Sequence, residues 1–173
     1  MTSAVSRASE GGGCGPMSEL RGTLASPIGL LQLEATERGL SAIRFPHRAP
    51  NPSHQNNHHP LIAMARRQLS DYFAGKLKTF SVELDWQGTP FQESVWEALT
   101  RIPFGDTVTY ADIARAIGRP RSARPVGGAV GKNPLPIIVP CHRVIGSDQS
   151  LTGFTGGLDI KIQLLQLEGR QIF

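Results

Sequence analysis

A proline-rich segment, residues 133–144, constrains the fold of this chain more than any other stretch of its sequence. Three prolines in this segment each fix the backbone angle φ and remove a backbone hydrogen-bond donor. The apolar triplet at 137–139 predicts that the segment is extended and buried. It leads directly to Cys141 and His142. We therefore expect a stiff arm that holds a cysteine at a fixed place, with a histidine beside it.

Cys141 is predicted to be a nucleophile. A cysteine attacks as the thiolate, which forms near neutral pH beside a base or a positive charge, and His142 and Arg143 follow it directly. The ordinary alternative for a lone cysteine in an apolar stretch is an inert buried thiol. The second cysteine, Cys14, lies in a glycine- and serine-rich leader at 1–17, so no structural disulfide is expected. No run is long and apolar enough to cross a membrane, and we expect a cytoplasmic protein in a reducing compartment.

The first half of the chain predicts a small α/β domain. Short apolar runs between residues 20 and 45, interrupted by turn residues, are typical of two or three antiparallel strands. Apolar residues at 61–73 recur every three or four positions and stop just before Gly75, which predicts an amphipathic helix. Residues 80–84 alternate apolar and polar like a further strand. A domain boundary is expected near 87–88.

Residues 47–59, within this first domain, show no periodicity and predict an exposed loop. The loop carries four histidines, His47, His54, His58 and His59. Histidines can bind a metal ion, but their spacing here is irregular, and Cys14 is the only thiolate partner available. We therefore predict no metal site, and metal binding by this loop is left to experiment.

The second half opens with two signals for the start of a helix. A capping box is predicted at Thr89, Pro90 and Gln92. In this motif the threonine side chain accepts a hydrogen bond from the backbone N–H of the glutamine three residues later, and the glutamine side chain accepts one from the backbone N–H of the threonine. Thr109 repeats the cap, with Asp112 in the first turn of the helix that follows.

A third short helix is predicted at about 123–130, with Ser122 as its cap and the pair Gly127 and Gly128 inside it. Two short helices joined by a tight turn are typical of a helix-turn-helix, although such pairs are also common in helical bundles. A glycine destabilises a helix by about 1 kcal/mol and is tolerated best where a partner approaches the backbone closely. The glycine pair therefore favours DNA binding.

Basic residues surround this pair of helices. No acidic residue falls between Asp112 and Asp148. The interval contains six basic residues, Arg115, Arg119, Arg121, Arg124, Lys132 and Arg143. A polyanion such as DNA could bind there, and a merely solvated charged face is the alternative.

The segment Pro140-Cys141-His142-Arg143-Val144, preceded by Asn133-Pro134 and a helix with Val126-Gly127-Gly128-Ala129, resembles the O6-alkylguanine-DNA alkyltransferases. The match is strong from about residue 89 to 169 and looser over 20–84. It implies an α/β fold class, with a small ribonuclease H-like α/β domain at 18–88. A mostly helical domain at 89–173 would carry the helix-turn-helix and the active cysteine.

The resemblance also implies an activity. In this family the motif enters the minor groove of double-stranded DNA, and the damaged nucleotide rotates out of the duplex into the cysteine pocket. The expected protein is a single-turnover DNA repair methyltransferase, which moves a methyl or other alkyl group from O6-alkylguanine irreversibly to Cys141. No metal or organic cofactor is required, because the reactive groups are all side chains.

The resemblance further implies a role for each matching residue. His142 removes the proton of Cys141 through a water, and Glu168 orients His142. Tyr110 crowds the target phosphate and donates a proton toward the departing guanine, while Asn133 ties the recognition helix to the active-site strand. The residues expected to contact DNA are Tyr110, Arg121, Arg124, Gly127, Gly128, Ala129 and Lys132, with Arg124 filling the gap left by the flipped base. The residues expected in the base pocket are Val144, Phe154 and Thr155.

Two positions depart from the family's pattern. Phe154 stands where many relatives have a tyrosine, so a stacking surface is kept and a hydroxyl is lost. Pro125 follows Arg124 and biases it away from helical geometry, which predicts that the recognition helix begins at Pro125.

Three other functions compete with this one. An alkyltransferase-like protein would bind the lesion without repairing it, but such relatives lack the cysteine. A cysteine-dependent hydrolase would turn over repeatedly and would give no role to the basic helix pair. Methyl-phosphotriester sensing would need a zinc-bound cysteine cluster that two cysteines cannot build. We expect a monomer, and leave open cooperative DNA binding, the preferred alkyl group and activity on O4-alkylthymine.

Overall fold

A computed structural model describes residues 20–48 and 55–172 of the chain. The chain divides into two compact units, with the boundary between Gln87 and Gly88. The predicted leader at 1–17, its Cys14, and His54 of the histidine loop lie outside the described residues.

The described part of the first unit contains a sheet of three antiparallel strands and one helix. Strands β1 (Leu20–Ser26), β2 (Gly29–Ala35) and β3 (Leu40–Arg44) lie in sequence order in one sheet. Gly29 closes the turn between β1 and β2 with φ of +107°, a conformation that favours glycine. Helix α1 (Pro60–Phe73) packs on this sheet. The predicted α/β arrangement is confirmed.

The segment at 80–84 is not a strand, and this prediction was wrong. It forms only an isolated bridge, from Leu84 to Leu40. Two of its backbone N–H groups donate instead to the side-chain oxygen of Gln68, at 3.0 and 3.2 Å. A side chain thus takes the place of a neighbouring strand, although the alternation correctly indicated that the apolar side chains are buried.

The described part of the second unit is mostly helical. It contains α2 (Pro90–Leu99), β4 (Val108–Thr109), α3 (Tyr110–Ala116), α4 (Ala123–Gly131), β5 (Val144–Ile145) and α5 (Leu158–Leu167), with β4 and β5 paired in parallel. The capping box predicted at Thr89 and the cap predicted at Thr109 are both formed, and the side chain of Asp112 completes a second capping box at Thr109. Gly118, at φ of +73°, follows the end of α3. Over the part of the chain that the structure describes, no helix is long and apolar enough to span a membrane.

Helix α4 runs from Ala123 to Gly131, so the helix predicted at about 123–130 is confirmed, and the later start inferred from Pro125 is wrong. Pro125 is the third residue of the helix. The first four backbone N–H groups of a helix have no partner within it, so a proline at this position removes no hydrogen bond. Arg124 therefore lies inside the first turn. Ser122 stands at the cap position, but its side chain makes no capping hydrogen bond.

The proline-rich arm is buried as predicted, but it is not extended. Residues 134–139 pass through bends and turns. Ile137 has φ of 76°, a left-handed conformation that costs a non-glycine residue on the order of 1–3 kcal/mol. The Asn133 side chain closes the turn, because its Nδ2 donates to the carbonyl of Val139 (2.8 Å) and its Oδ1 accepts from the N–H of Leu135 (2.9 Å).

Candidate active site

Helices α3 and α4 form the predicted pair of short helices, and α4 is tied to α2. The indole N–H of Trp96 donates to the carbonyl of Ala129 at 2.9 Å. Ala129 is thus buried on the α2 side, whereas Gly128 is exposed. A Cβ added at Gly128 would have no described atom of a neighbouring element within 4 Å, while one added at Gly127 would lie 3.7 Å from the ring of Tyr110. The exposed side of α4 therefore has room for a partner close to its backbone.

Five of the six basic residues in the acid-free interval are exposed, and Arg143 is not. Two of the guanidinium nitrogens of Arg143 donate to Glu168, at 2.9 and 2.8 Å, and a third donates to the carbonyl of Ile102 at 2.6 Å. Arg143 therefore does not contribute to a DNA-facing surface. Its charge neutralises a buried carboxylate.

Cys141 begins a short 3-10 helix (Cys141–Arg143), and only 3% of its surface is exposed. Burial raises the pKa of its thiol to about 11, and the hydrogen bond with Asn133 and the charge of Lys161 offset only part of this effect. The sequence predicted a thiolate near neutral pH. With its pKa raised by burial, the thiol stays protonated near neutral pH, so a base must take the proton when Cys141 reacts.

His142 can be that base. Its Nε2 lies 2.7 Å from Oε1 of Glu168, and both side chains are fully buried. Burial lowers the pKa of His142, although the hydrogen bond and charge of Glu168 act in the opposite direction. Burial would raise the pKa of Glu168, but hydrogen bonds from His142 and Arg143, and their charges, hold it well below its usual range. The pair is therefore a neutral imidazole and a carboxylate.

The two ring nitrogens of His142 consequently have different roles. A neutral imidazole carries one proton, and the carboxylate of Glu168 keeps that proton on Nε2. Nδ1 is buried and has no hydrogen-bond partner among the described residues. Its lone pair is available to accept a proton.

Lys161 is a site residue that the sequence analysis missed. Only 1% of its surface is exposed, and its Nζ donates to the carbonyls of Val144 (2.6 Å) and Thr152 (3.2 Å). Burial lowers the pKa of its ammonium group. One signal could have revealed it, because Lys161 lies three and four residues before the buried Leu164 and Leu165, on the apolar side of α5.

A cavity of about 620 Å³ lies between α3, α4 and the loop that follows β5. Tyr110 and Arg124 line it from the helices, and Asp148 and Thr152 line it from the loop. The phenolic oxygen of Tyr110 lies 2.8 Å from Oγ1 of Thr152. Two residues predicted from the family resemblance, Tyr110 and Arg124, thus face the same space.

The other predicted pocket residues lie outside the lining of this cavity. Val144 is buried, and Phe154 is partly buried. The hydroxyl of Thr155 donates to the carbonyl of Gly131, at the end of α4, at 3.1 Å. Cys141 does not line the cavity either.

Two histidines of the predicted loop, His47 and His59, have separate partners. Nδ1 of His59 accepts from the N–H of Leu61 at the start of α1 (3.3 Å), and the ring of His47 stacks on Phe45 at 6.4 Å between centroids. Within residues 20–48 and 55–172, no three histidine, cysteine, aspartate or glutamate side chains gather where they could hold a metal ion.

Both units match known protein families. Residues 20–86 match the ribonuclease-like domain of 6-O-methylguanine DNA methyltransferase, and residues 90–170 match its DNA binding domain. The methylated-DNA--protein-cysteine methyltransferase of Methanosarcina acetivorans is 49% identical to the chain over 147 residues, which cover 83% of this chain and 94% of that protein. The chain belongs to the 6-O-methylguanine DNA methyltransferase family.

Other members of the family are also similar to the chain. The constitutive methylated-DNA--protein-cysteine methyltransferase of Bacillus subtilis is 53% identical over 118 residues, covering 66% of this chain and 72% of that protein. The crystal structure of Mycobacterium tuberculosis OGT in complex with DNA superposes with a TM-score of 0.78 and 47% identity, covering 86% of this chain and 91% of that chain. The fold class predicted from the family resemblance is confirmed.

Proposed function

We propose that this protein repairs DNA by transferring a methyl or other alkyl group from O6 of guanine to its own Cys141. The arrangement of Cys141 next to His142 carries the proposal. A buried thiol has beside it in sequence a neutral histidine, whose Nδ1 is unpartnered among the described residues and whose Nε2 is held by Glu168. The names of the relatives, and the relative whose structure contains DNA, support this function.

The transfer is a displacement at a saturated carbon. The Cys141 proton passes to Nδ1 of His142 through a water, and the sulfur forms a bond to the alkyl carbon as the bond from that carbon to O6 breaks. The electron pair of the broken bond passes to the guanine, and Tyr110 donates a proton to this leaving group. Asn133 holds the turn before the cysteine through two hydrogen bonds.

The reaction ends after one turnover. The product is an alkyl thioether, which is a poor electrophile, and neither His142 nor Glu168 can readily remove the alkyl group. The chemistry uses side chains alone, so no metal or organic cofactor takes part in it.

The domain at 89–173 is proposed to bind double-stranded DNA through α4. The exposed Arg121, Arg124 and Lys132 supply positive charge toward phosphates, and the open space at Gly128 lets the sugar-phosphate backbone approach closely. Arg124, in the first turn of α4 at the edge of the cavity, would fill the gap left by the flipped base. Tyr110 and Gly127 lie next to each other at the same cavity. The carbonyl of Ala129 accepts a hydrogen bond from Trp96, which ties α4 to α2.

The guanine is proposed to occupy a pocket next to Cys141. The backbone carbonyl of Val144 would read the guanine amino group, and Phe154 and Thr155 would form the rim. We further propose that the protein acts as a monomer in the cytoplasm, where the thiol of Cys141 stays reduced.

Mass spectrometry of the alkylated protein tests this function. After incubation with a duplex that contains O6-methylguanine, the peptide with Cys141 should gain one methyl group, and the duplex should contain ordinary guanine. Cys141→Ala should repair nothing. Cys14→Ala is the matched control and should react like the unaltered protein.

Two outcomes would contradict the proposal. Tight binding of the lesion with no change in the mass of Cys141 would indicate a lesion-binding protein of the alkyltransferase-like kind. Removal of more than one methyl group per protein molecule would indicate an enzyme that turns over.

A further inference from the structure

Thr152 lies at the centre of a hydrogen-bond arrangement that joins the cavity to the core of the second unit. Its Oγ1 is 2.8 Å from the phenolic oxygen of Tyr110, and both residues line the cavity. Its backbone carbonyl accepts a hydrogen bond from Nζ of the buried Lys161. The side chain thus contacts Tyr110, while the backbone carbonyl is held by Lys161.

We propose that Thr152 is a positioning residue for the alkyl transfer, because its hydroxyl donates to the oxygen of Tyr110 and leaves the phenolic proton directed at the guanine. The inference rests on the proposed function, in which Tyr110 protonates the leaving group. It adds a residue to which the family resemblance gave no role.

The direction of this hydrogen bond follows from the number of protons. Either hydroxyl could be the donor in the protein alone. A phenol has one proton, so when Tyr110 donates to the guanine and keeps its bond with Thr152, the phenolic oxygen must accept that bond from the threonine hydroxyl. A threonine hydroxyl can both donate and accept, and its donor role is therefore selected when the guanine binds.

The same bond becomes stronger during the reaction. As the bond to O6 breaks and the proton leaves Tyr110 for the guanine, negative charge develops on the phenolic oxygen. A hydrogen bond to a charged oxygen is roughly twice as strong as one between neutral groups. Thr152 therefore stabilises the transition state more than the bound substrate, and the phenolate regains a proton from solvent after the base has left.

Lys161 keeps Thr152 in place for this role. Its Nζ donates to the carbonyl of Val144 at 2.6 Å and to that of Thr152 at 3.2 Å, so one ammonium group joins both ends of the loop at 145–151. Both bonds are to backbone atoms. A substitution of the Thr152 side chain therefore leaves the anchor of the loop unchanged.

The test compares Thr152→Val, which keeps the shape and removes the hydroxyl, with Thr152→Ser, which keeps the hydroxyl. Single-turnover transfer from an O6-methylguanine duplex is measured with the protein in saturating excess, and duplex affinity is measured separately. Thr152→Val should slow transfer about tenfold to a hundredfold, the range expected for one hydrogen bond to a charged group, and change affinity less than about twofold. Thr152→Ser should react within about threefold of the unaltered protein.

A Tyr110→Phe background separates this role from a merely structural one. Because the hydroxyl of Thr152 acts through Tyr110, Thr152→Val should add no further loss of rate there. An unchanged rate in Thr152→Val, an equal loss in Thr152→Ser, or a full additional loss in the Tyr110→Phe background would each overturn the inference. Absence of transfer by the unaltered protein would instead reject the proposed function itself.

Discussion

The buried carboxylate of Glu168 gives the sharpest prediction about stability. Its two oxygens lie within hydrogen-bond distance of His142 (2.7 Å), of two nitrogens of Arg143 (2.9 and 2.8 Å) and of the N–H of Gly105 (3.2 Å). Glu168→Gln keeps the size of the side chain but removes its charge. Arg143, a residue that is only 5% exposed, then has no counter-charge for its guanidinium. Breaking a buried ion pair in this way costs about 3–5 kcal/mol of unfolding free energy.

Urea unfolding measures this loss. Tryptophan fluorescence and far-UV circular dichroism should be recorded together, since coincident curves are needed before a two-state free energy is derived. Glu97→Gln is the matched control. It breaks the ion pair of Glu97 with Arg101, which is 3.4 Å long and largely exposed, and should cost at most about 1 kcal/mol.

A second variant tests whether the unpaired charge causes the loss. Adding Arg143→Met to Glu168→Gln removes the buried cation, so it should restore roughly 1–3 kcal/mol relative to Glu168→Gln alone. A loss below about 1 kcal/mol in Glu168→Gln, or a double variant less stable than the single one, would refute the electrostatic reasoning.

Three more predictions follow from the described contacts. Gly128→Ala should stabilise the protein by up to about 1 kcal/mol, because alanine favours a helix and the added methyl group has open space. The same substitution should weaken duplex binding, as measured by fluorescence anisotropy. Unchanged affinity would argue against DNA contact at Gly128. Thr89→Ala should cost about 1 kcal/mol in urea unfolding, because the N–H of Gln92 loses its cap, and no loss would contradict that role. Stability should fall on acidification, since the pKa values of His142 and Glu168 are lower in the folded protein, and the unfolded chain therefore binds more protons. The loss should begin near pH 6.5 with His142 and continue below pH 4.5 with Glu168, and a thermal midpoint that stays constant from pH 8 to 4 would be inconsistent with it.

Much of the fold was predictable from local sequence signals. The capping box at Thr89, the cap at Thr109 and the amphipathic α1 all formed as expected. The cap signals depend on residues within about one helical turn of one another, and the amphipathic pattern depends on residues within a single helix. Local geometry therefore decides them, almost independently of the rest of the chain.

Local signals gave wrong predictions where a side chain outside the local pattern formed hydrogen bonds with backbone groups, or where a proline fell at a helix position that needs no N–H donor. The segment at 80–84 lost its strand because Gln68 took two of its N–H groups. The start of α4 was predicted correctly at about residue 123, but the preference of a residue before proline wrongly suggested a later start, because Pro125 falls among helix positions that need no donor. The arm at 134–139 became a turn because Asn133 bridges its ends.

A short motif was enough to name most residues of the candidate site. It did not predict which charged groups are buried or how the pKa of Cys141 is shifted. Arg143 had been counted with the surface charges, and Lys161 had been overlooked. Cys141 had been expected as a thiolate, whereas burial raises the pKa of its thiol. These properties depend on how much water each group loses on folding, which sequence spacing does not report.

By itself, the sequence determined the three short helices of the second unit, the threonine caps of two of them, the amphipathic α1, and the family to which the Pro-Cys-His-Arg-Val motif points. Only the tertiary structure decided which charges are buried and which groups they meet. Glu168 reaches His142 across 26 residues of chain, and Tyr110 reaches Thr152 across 42. The physical reason is that a hydrogen bond within a helical turn is set by local backbone angles. The pairing of a buried charge requires the whole unit to fold around it.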